Sequence, residues 1–290
     1  MMEVSSAQEA SAYLNLNRKL SFSGKIKIKS TDKASVYTKA TIGILSLLTI
    51  IGFISFDYKD LNFWDAVGKT LQNFKRMFLH AELIHFDFAT ALNQIGITIA
   101  IAFLTTVVGA FIALILSLFA AKNLTNAKVS NTIKMVVAFI RAVPTVLWVL
   151  IFAVTVGLGS AAAILGLSFH TVGYLTKVYS ESFEEMDEGV IEALKASGAT
   201  FWQIVTQAVI PTSIRYIFVW TFLRFEINFT NAVAIAAVAG AGGIGFELFM
   251  ASSFYFSTTE VGFITIMIFI CAMILEFCST KVKAKFAVQR

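Results

Sequence analysis

Six long apolar blocks constrain this chain more than any other feature, at about residues 40–56, 92–121, 133–157, 160–180, 208–236 and 258–279. A helix needs about 20 residues to cross a hydrocarbon core of roughly 30 Å, and each block approaches or exceeds that length. The first is the shortest, and the fifth carries several polar groups. Charged residues make up only 14% of the sequence and hydrophobic ones 57%. Soluble domains carry about 25% charge, so this chain has too few charges to coat a water-facing surface. The expected class is all-α, a polytopic membrane protein with six transmembrane helices.

Basic residues set the expected orientation. Seven lie before the first block, Arg18, Lys19, Lys25, Lys27, Lys29, Lys33 and Lys39, and four follow the last, Lys281, Lys283, Lys285 and Arg290. Lys122, Lys128 and Lys134 flank the second connection, and Lys177 and Lys195 the fourth. Placing these sixteen inside leaves Lys59, Lys69, Lys75 and Arg76 outside. The positive-inside rule thus favours six spans in a cell (plasma or inner) membrane with both termini cytoplasmic. No aromatic-basic pattern accompanies the net charge of +5, so no nucleic-acid partner is expected. The 1–39 stretch is too long and polar for a cleavable signal and reads as a partly disordered cytoplasmic arm. The remaining division is 40–91, a first span with an external loop; 92–280, the main transmembrane domain; and 281–290, a basic cytoplasmic tail. Trp64, Leu71, Phe74, Met77 and Phe78 recur at helical spacing within 57–91, which suits a packing element or a helix lying on the membrane surface. Cys271 and Cys278 sit seven residues apart, roughly 10 Å along a helix, beyond disulfide reach. No metal or redox role is expected for them.

The connection between the fourth and fifth blocks, 181–211, is unlike a plain loop. An acidic start (Glu181, Glu184, Glu185, Asp187, Glu188) leads into EALKASGATFWQIVTQAVIP. Two helical stretches meet at Gly198, and Phe201, Trp202, Ile204 and Val205 offer bulky apolar contacts beside it. Such a loop suits docking of another protein. Here the sequence resembles ABC-importer permeases, whose cytoplasmic loop begins EAA, continues through a glycine and ends at a proline. Glu192, Ala193 and Leu194 occupy the start, Gly198 the glycine and Pro211 the proline. Leu194, Ala208 and Ile210 replace residues usual in that pattern but keep small or apolar character.

A closer likeness covers most of 90–280. The stretches RAVPTVLWVLIFAVTVGLG, LSFHTVGYLTKVYSESFEE, LRFEINFTNA and VAGAGGIGFEL resemble the phosphonate-type permeases. The resemblance implies a type I ABC-importer permease fold importing phosphonates or related phosphorus oxoanions. It implies a cytoplasmic ABC ATPase dimer docking on Glu192, Ala193, Leu194, Gly198, Ala199, Phe201 and Pro211. It also implies an external substrate-binding protein and a second permease subunit, by default an identical copy. The chain is then not an enzyme and binds no cofactor or metal, with ATP and Mg held by the partner ATPase. The absence of a GxxxxGK[ST] run agrees. Gly198 is expected to permit a sharp turn or a close approach that a Cβ would block.

Ionisable groups inside a bilayer are costly and face cavities or one another. Arg141, His170, Arg224 and Glu226 are of this kind. Arg141 and Arg224 suit an anionic substrate, while Arg141 equally suits a structural pair with Glu226. His170 with Thr171 could hydrogen-bond a phosphonate or a neighbouring carbonyl. Asn228, with Thr230 and Asn231, extends the polar side of the fifth block. Pro144 predicts a kink or hinge in the third. The run Gly240, Gly242, Gly243, Gly245 breaks helicity near the outer face and suits a flexible gate or a binding-protein contact. An intramembrane lipid enzyme and a stand-alone secondary transporter are the alternatives. The first lacks a clustered nucleophile, base or metal-ligand set, and the second does not explain the docking loop.

Overall fold

The computed structural model describes residues 33–55 and 62–287. The described residues form ten helices: α1 (Lys33–Ser55), α2 (Phe63–Leu79), α3 (Phe88–Ala120), α4 (Ala127–Ala142), α5 (Thr145–Val156), α6 (Ser160–Glu184), α7 (Glu188–Ala196), α8 (Phe201–Ala239), α9 (Ile244–Ser253) and α10 (Thr258–Ala287). The chain divides into two compact units, Met1–Ala66 and Val67–Arg290. Helix α1, in the first, is apolar along most of its 23 residues and begins at Lys33, inside the stretch expected to be a polar arm. Residues 1–32 of that arm lie outside the described residues. At the other end, α10 continues as helix to Ala287 through most of the expected tail.

The bundle of the second unit is organised around α6. Thirteen of its 25 residues are buried, among them Ala162, Ala163, Gly166, Ser168, Thr171, Gly173, Thr176 and Ser180. These side chains are small or short and polar, which lets neighbouring backbones come close. Helix α3 packs most extensively on it, followed by α5, α8 and α4. The facing stripe of α3 is built the same way, with Ala91, Thr98, Ala102, Thr105, Thr106, Gly109, Ala113 and Ser117 at three-, four- and seven-residue spacings. A Cβ at Gly109 would lie 2.8 Å from Thr171 Cβ, and one at Gly166 would lie 2.6 Å from Val149 Cα. Leu175, Tyr179, Phe183, Ile191, Ile204, Val205 and Val209 close the end of the bundle beneath α7.

Six uninterrupted spans are not what the described residues form. Four helices, α1, α3, α8 and α10, are long and apolar enough to cross a bilayer. The third expected block is instead two short helices, α4 and α5, bent by 90° at Val143-Pro144. Proline has no N–H to continue the ladder and its ring clashes with the preceding turn. Trp148 Nε1 donates to the Ile140 carbonyl at 3.0 Å, partnering one group at the broken end. Helix α6 is long enough, but its interior polar residues lower its hydropathy. In α8, Pro211 follows a π-helical turn, Val205–Val209. The wider turn accommodates the missing amide without ending the helix.

Polar clamps fix the end of the bundle where α3 and α10 begin. Gly243 N and Ile244 N donate to Gln94 Oε1 and Thr98 Oγ1, each at 2.9 Å. Glu260, fully buried, accepts from Ile84 N at 3.1 Å and His85 N at 2.9 Å, and lies 2.6 Å from His85 Nδ1. Asp87 caps α3 by accepting from Thr90 N. The Thr90 hydroxyl and amide together hold its carboxyl below the usual range.

Two expectations follow. Gly166→Leu should destabilise the bundle by about 1–3 kcal/mol through overpacking, read as a lower melting temperature in detergent. Gly96→Ala, where a Cβ meets nothing within 4 Å, should leave that temperature unchanged or slightly raised; equal losses in both would contradict the packing account. Glu260→Ala should accelerate hydrogen exchange at Ile84 and His85 by about 10- to 100-fold, since each amide loses its acceptor at about 1–3 kcal/mol.

Candidate functional sites

Two arrangements stand out: a polar group inside the bundle and a structured loop at one end. Inside, Arg224 of α8 is 2% exposed. Its Nε lies 3.2 Å from Thr171 Oγ1 and its Nη2 2.9 Å from His170 Nδ1. Its Cζ sits 5.0 Å from the centroid of the Tyr174 ring. An arginine can only donate, so His170 Nδ1 must accept and the ring hydrogen sits on Nε2. Asn228, one turn further along α8 and fully buried, donates to Thr106 Oγ1 at 2.9 Å and Thr171 Oγ1 at 3.1 Å. Helices α3, α6 and α8 therefore each contribute a hydroxyl, amide or ring to one centre.

No carboxylate completes it. Among the described residues no Asp or Glu lies within ion-pair distance of Arg224. Glu226 points elsewhere, as two residues of helix rotate it by about 200°, and its Oε2 is buried without a hydrogen-bond partner. A desolvated guanidinium without a carboxylate partner has N–H groups left that can donate to an anion. His170, Thr171, Arg224 and Asn228 come together as a cluster, whereas Glu226 stays out of it.

Arg141 is also elsewhere. The structural pair with Glu226 is not formed; α4, which carries Arg141, packs on α6 and α3. Its side chain crosses α6 at Gly173, where a Cβ would lie 3.2 Å from Arg141 Cγ. Thr106 and Tyr174 are cluster members that the sequence reading missed. The small-residue spacing on α3 was the available signal for Thr106; an aromatic one turn from His170 gave none for Tyr174.

At the end of the bundle, Asp187 caps α7 by accepting from Gly189 N at 2.9 Å. The helix stops at Ser197, and Gly198 has φ +82°. Gly198 N donates to Lys195 O and Ala199 N to Leu194 O, both at 3.0 Å, the paired bonds of a Schellman turn. Thr200 and Gln203 then form a capping box that starts α8. A Cβ at Gly198 would meet nothing within 4 Å. The glycine therefore serves the left-handed turn, and no other group of this chain approaches it. Glu192, Ala193, Gly198, Trp202 and Pro211 are exposed, while Leu194, Ala199 and Phe201 turn inward against the apolar layer.

The loop is tied to the bundle by Glu184, whose Oε1 accepts from Lys122 N at 2.7 Å and lies 2.6 Å from Lys134 Nζ. Asn123 Nδ2 donates to Phe183 O at 2.7 Å, and Lys195 Nζ to Asn123 O at 3.3 Å. From sequence, Glu184 was read as part of an acidic start and Lys122, Lys134 and Lys195 as cytoplasmic cations, none of them as an anchor. The glycine run is similarly held rather than free. Gly240, Gly242 and Gly243 all have positive φ, yet Gly243 N is bound to Gln94, and Gly245 lies so close to the Val233 carbonyl that no Cβ fits.

A model of the family described as "binding-protein-dependent transport system inner membrane component" matches residues 113–281. The phosphite transport system permease protein PtxC of Stutzerimonas stutzeri is 30% identical over 190 residues, 65% of this chain and 68% of that protein. The phosphate-import permease protein PhnE of Mycolicibacterium smegmatis is 32% identical over 152 residues, 52% of this chain and 28% of its own length. Among solved structures, a chain of the inward-facing MetNI methionine ABC transporter is similar with a TM-score of 0.63 at 20% identity, covering 70% of this chain and 99% of that one. A bacterial alginate ABC transporter chain gives 0.59 at 14%, covering 89% and 99%. Likeness at such identities establishes the fold, that of the ABC importer permeases. With more than half of its length matched, the chain belongs to the binding-protein-dependent transport system inner membrane component family and is the permease part of such a system.

Proposed function

We propose that this permease carries a phosphorus oxoanion of the phosphonate or phosphite kind into the cell, driven by a partner ATPase docked on the α7 loop. The observation that carries the substrate class is Arg224, buried, without a carboxylate partner, and grouped with His170, Thr171 and Asn228. A tetrahedral oxoanion presents several acceptors to donors so placed, and guanidinium matches it bidentately. The printed names of the relatives above, phosphite and phosphate permeases, support the same class. Substrate passes Arg224 in transit, and the neutral hydrogen-bonding neighbours keep the site from holding it too tightly.

The ATPase reading rests on the loop. Its inner side is anchored through Glu184 and the apolar layer, while Glu192, Ala193 and Trp202 remain exposed for contact. A rigidly held loop passes a push from an ATPase to α6 and α8, which it joins directly. ATP and Mg then belong to the partner. An external binding protein delivers the substrate, a second identical permease subunit completes the pathway, and both termini face the cytoplasm. Pro144 and the glycines 240, 242, 243 and 245 flank segments that shift between inward- and outward-open forms.

Arg224→Gln should lower phosphonate uptake by about 10- to 100-fold, the equivalent of one or two charged hydrogen bonds, with Arg224→Lys intermediate. Because the change removes a buried charge lacking a partner, folded yield should hold. Unchanged uptake with normal yield would refute the assignment. At Gly198 any other residue is strained by about 1–2 kcal/mol, but asparagine tolerates the left-handed region. Gly198→Asn should keep copurification of the ATPase, whereas Gly198→Trp should abolish it without loss of membrane insertion. An ATPase still bound to the tryptophan variant would overturn the docking surface.

A further inference from the structure

A cavity of about 220 Å³ opens between α4 and α6, on the loop side of the bundle. The side chains of the Arg224 group do not line it. Three cations line it, Lys134, Arg141 and Lys177, against two carboxylates, Glu181 and Glu184. Those carboxylates are already engaged. Glu184 lies 2.6 Å from Lys134 and also accepts from Lys122 N, while Glu181 lies 3.4 Å from Lys177 in a surface pair one helical turn apart. Arg141 is left with no acidic partner within 4.0 Å among the described residues.

A second observation comes from the wall. Thr176 is 1% exposed, lines the cavity, and its Oγ1 has no hydrogen-bond partner. Buried hydroxyls without partners are uncommon and call for an explanation. An unpaired guanidinium and an unsatisfied hydroxyl on facing helices are complementary to an acceptor-rich anion. Since water occupies about 30 Å³ in the liquid, the cavity has room for a small tetrahedral anion with water around it.

We propose that this cleft is a second oxoanion site, in which Arg141 and Thr176 hold a phosphate group near the cytoplasmic end of the bundle. Only its side of the membrane rests on the permease reading; the chemistry stands on the cavity itself. The phosphate group can come from a free anion on the cytoplasmic side or from an anionic lipid headgroup.

The test uses the purified full-length chain in detergent, stripped of lipid, carrying Arg224→Gln to silence the first site. Inorganic phosphate titrated calorimetrically at low salt should bind once per chain. Arg141→Gln should weaken that binding at least about tenfold, and the near-isosteric Thr176→Val several-fold without loss of fold. The lipid arm compares phosphatidylglycerol retained through purification by the unstripped chain with and without Arg141→Gln. Phosphatidylglycerol lost with Arg141 identifies a headgroup as the natural occupant, and retention unaffected alongside phosphate binding identifies a free anion. Either result supports the site. If neither phosphate affinity nor lipid retention responds to Arg141→Gln and Thr176→Val, the site does not exist. Phosphate binding in the unsubstituted chain that depends on Arg224 alone would leave the substrate reading standing while overturning this one.

Discussion

Helices already dissolved in lipid gain little by hiding apolar side chains from one another, so their association rests on close backbone contact and polar pairs. That constraint explains the make-up of α6. Gly166 lies against the Val149 backbone, Gly173 beneath Arg141, and Thr171 against Gly109 of α3. Larger residues at these points would push α3, α4 or α5 outward and separate Thr106, Thr171 and Asn228. The grouping of Arg224 with its hydrogen-bonding neighbours thus depends on the smallness of side chains outside that group.

The polar clamps extend the same logic to the ends of the bundle. Gln94 and Thr98 hold the 243–244 amides, Glu260 holds those of 84 and 85, and Glu184 holds that of Lys122. Each places a side-chain acceptor opposite backbone donors that no helix satisfies. Inside the bundle such donors would be costly to leave unpaired. Irregular segments can therefore be well positioned here without being helical.

Sequence made some of this plain and hid the rest for physical reasons. The all-helical class followed from the apolar blocks, and the turn at Gly198 from a local pattern of cap, glycine and aromatic residues. Local signals of this kind survive folding because few other residues determine them. The 90° break was half visible: Pro144 marked its place, but hydropathy is blind to direction and read α4 and α5 as one span. Which charges meet was not legible at all. Arg141 and Glu226 suited a structural pair, yet which helices pack on α4 and the rotational phase of α8 decide whether they meet. Thr176 and Glu184 carried no motif, and only the cavity and the loop anchors give them a place.

The broken helix also bears on how the chain enters its membrane. At about 1.5 Å per residue, α4 is about 24 Å long and α5 about 18 Å, each short of a core of roughly 30 Å. Neither half spans alone, and at the corner the Pro144 carbonyl accepts from Leu147 N at 3.0 Å. Both halves leave the ribosome before α6, the helix whose Gly166 receives Val149. Until α6 arrives, Ile140 and Val149 lack the glycine surfaces of Gly173 and Gly166 on which they pack. Its insertion is therefore a joint event with α6, and a chain truncated before Ser160 should be recognised by the cell's quality control as unfinished.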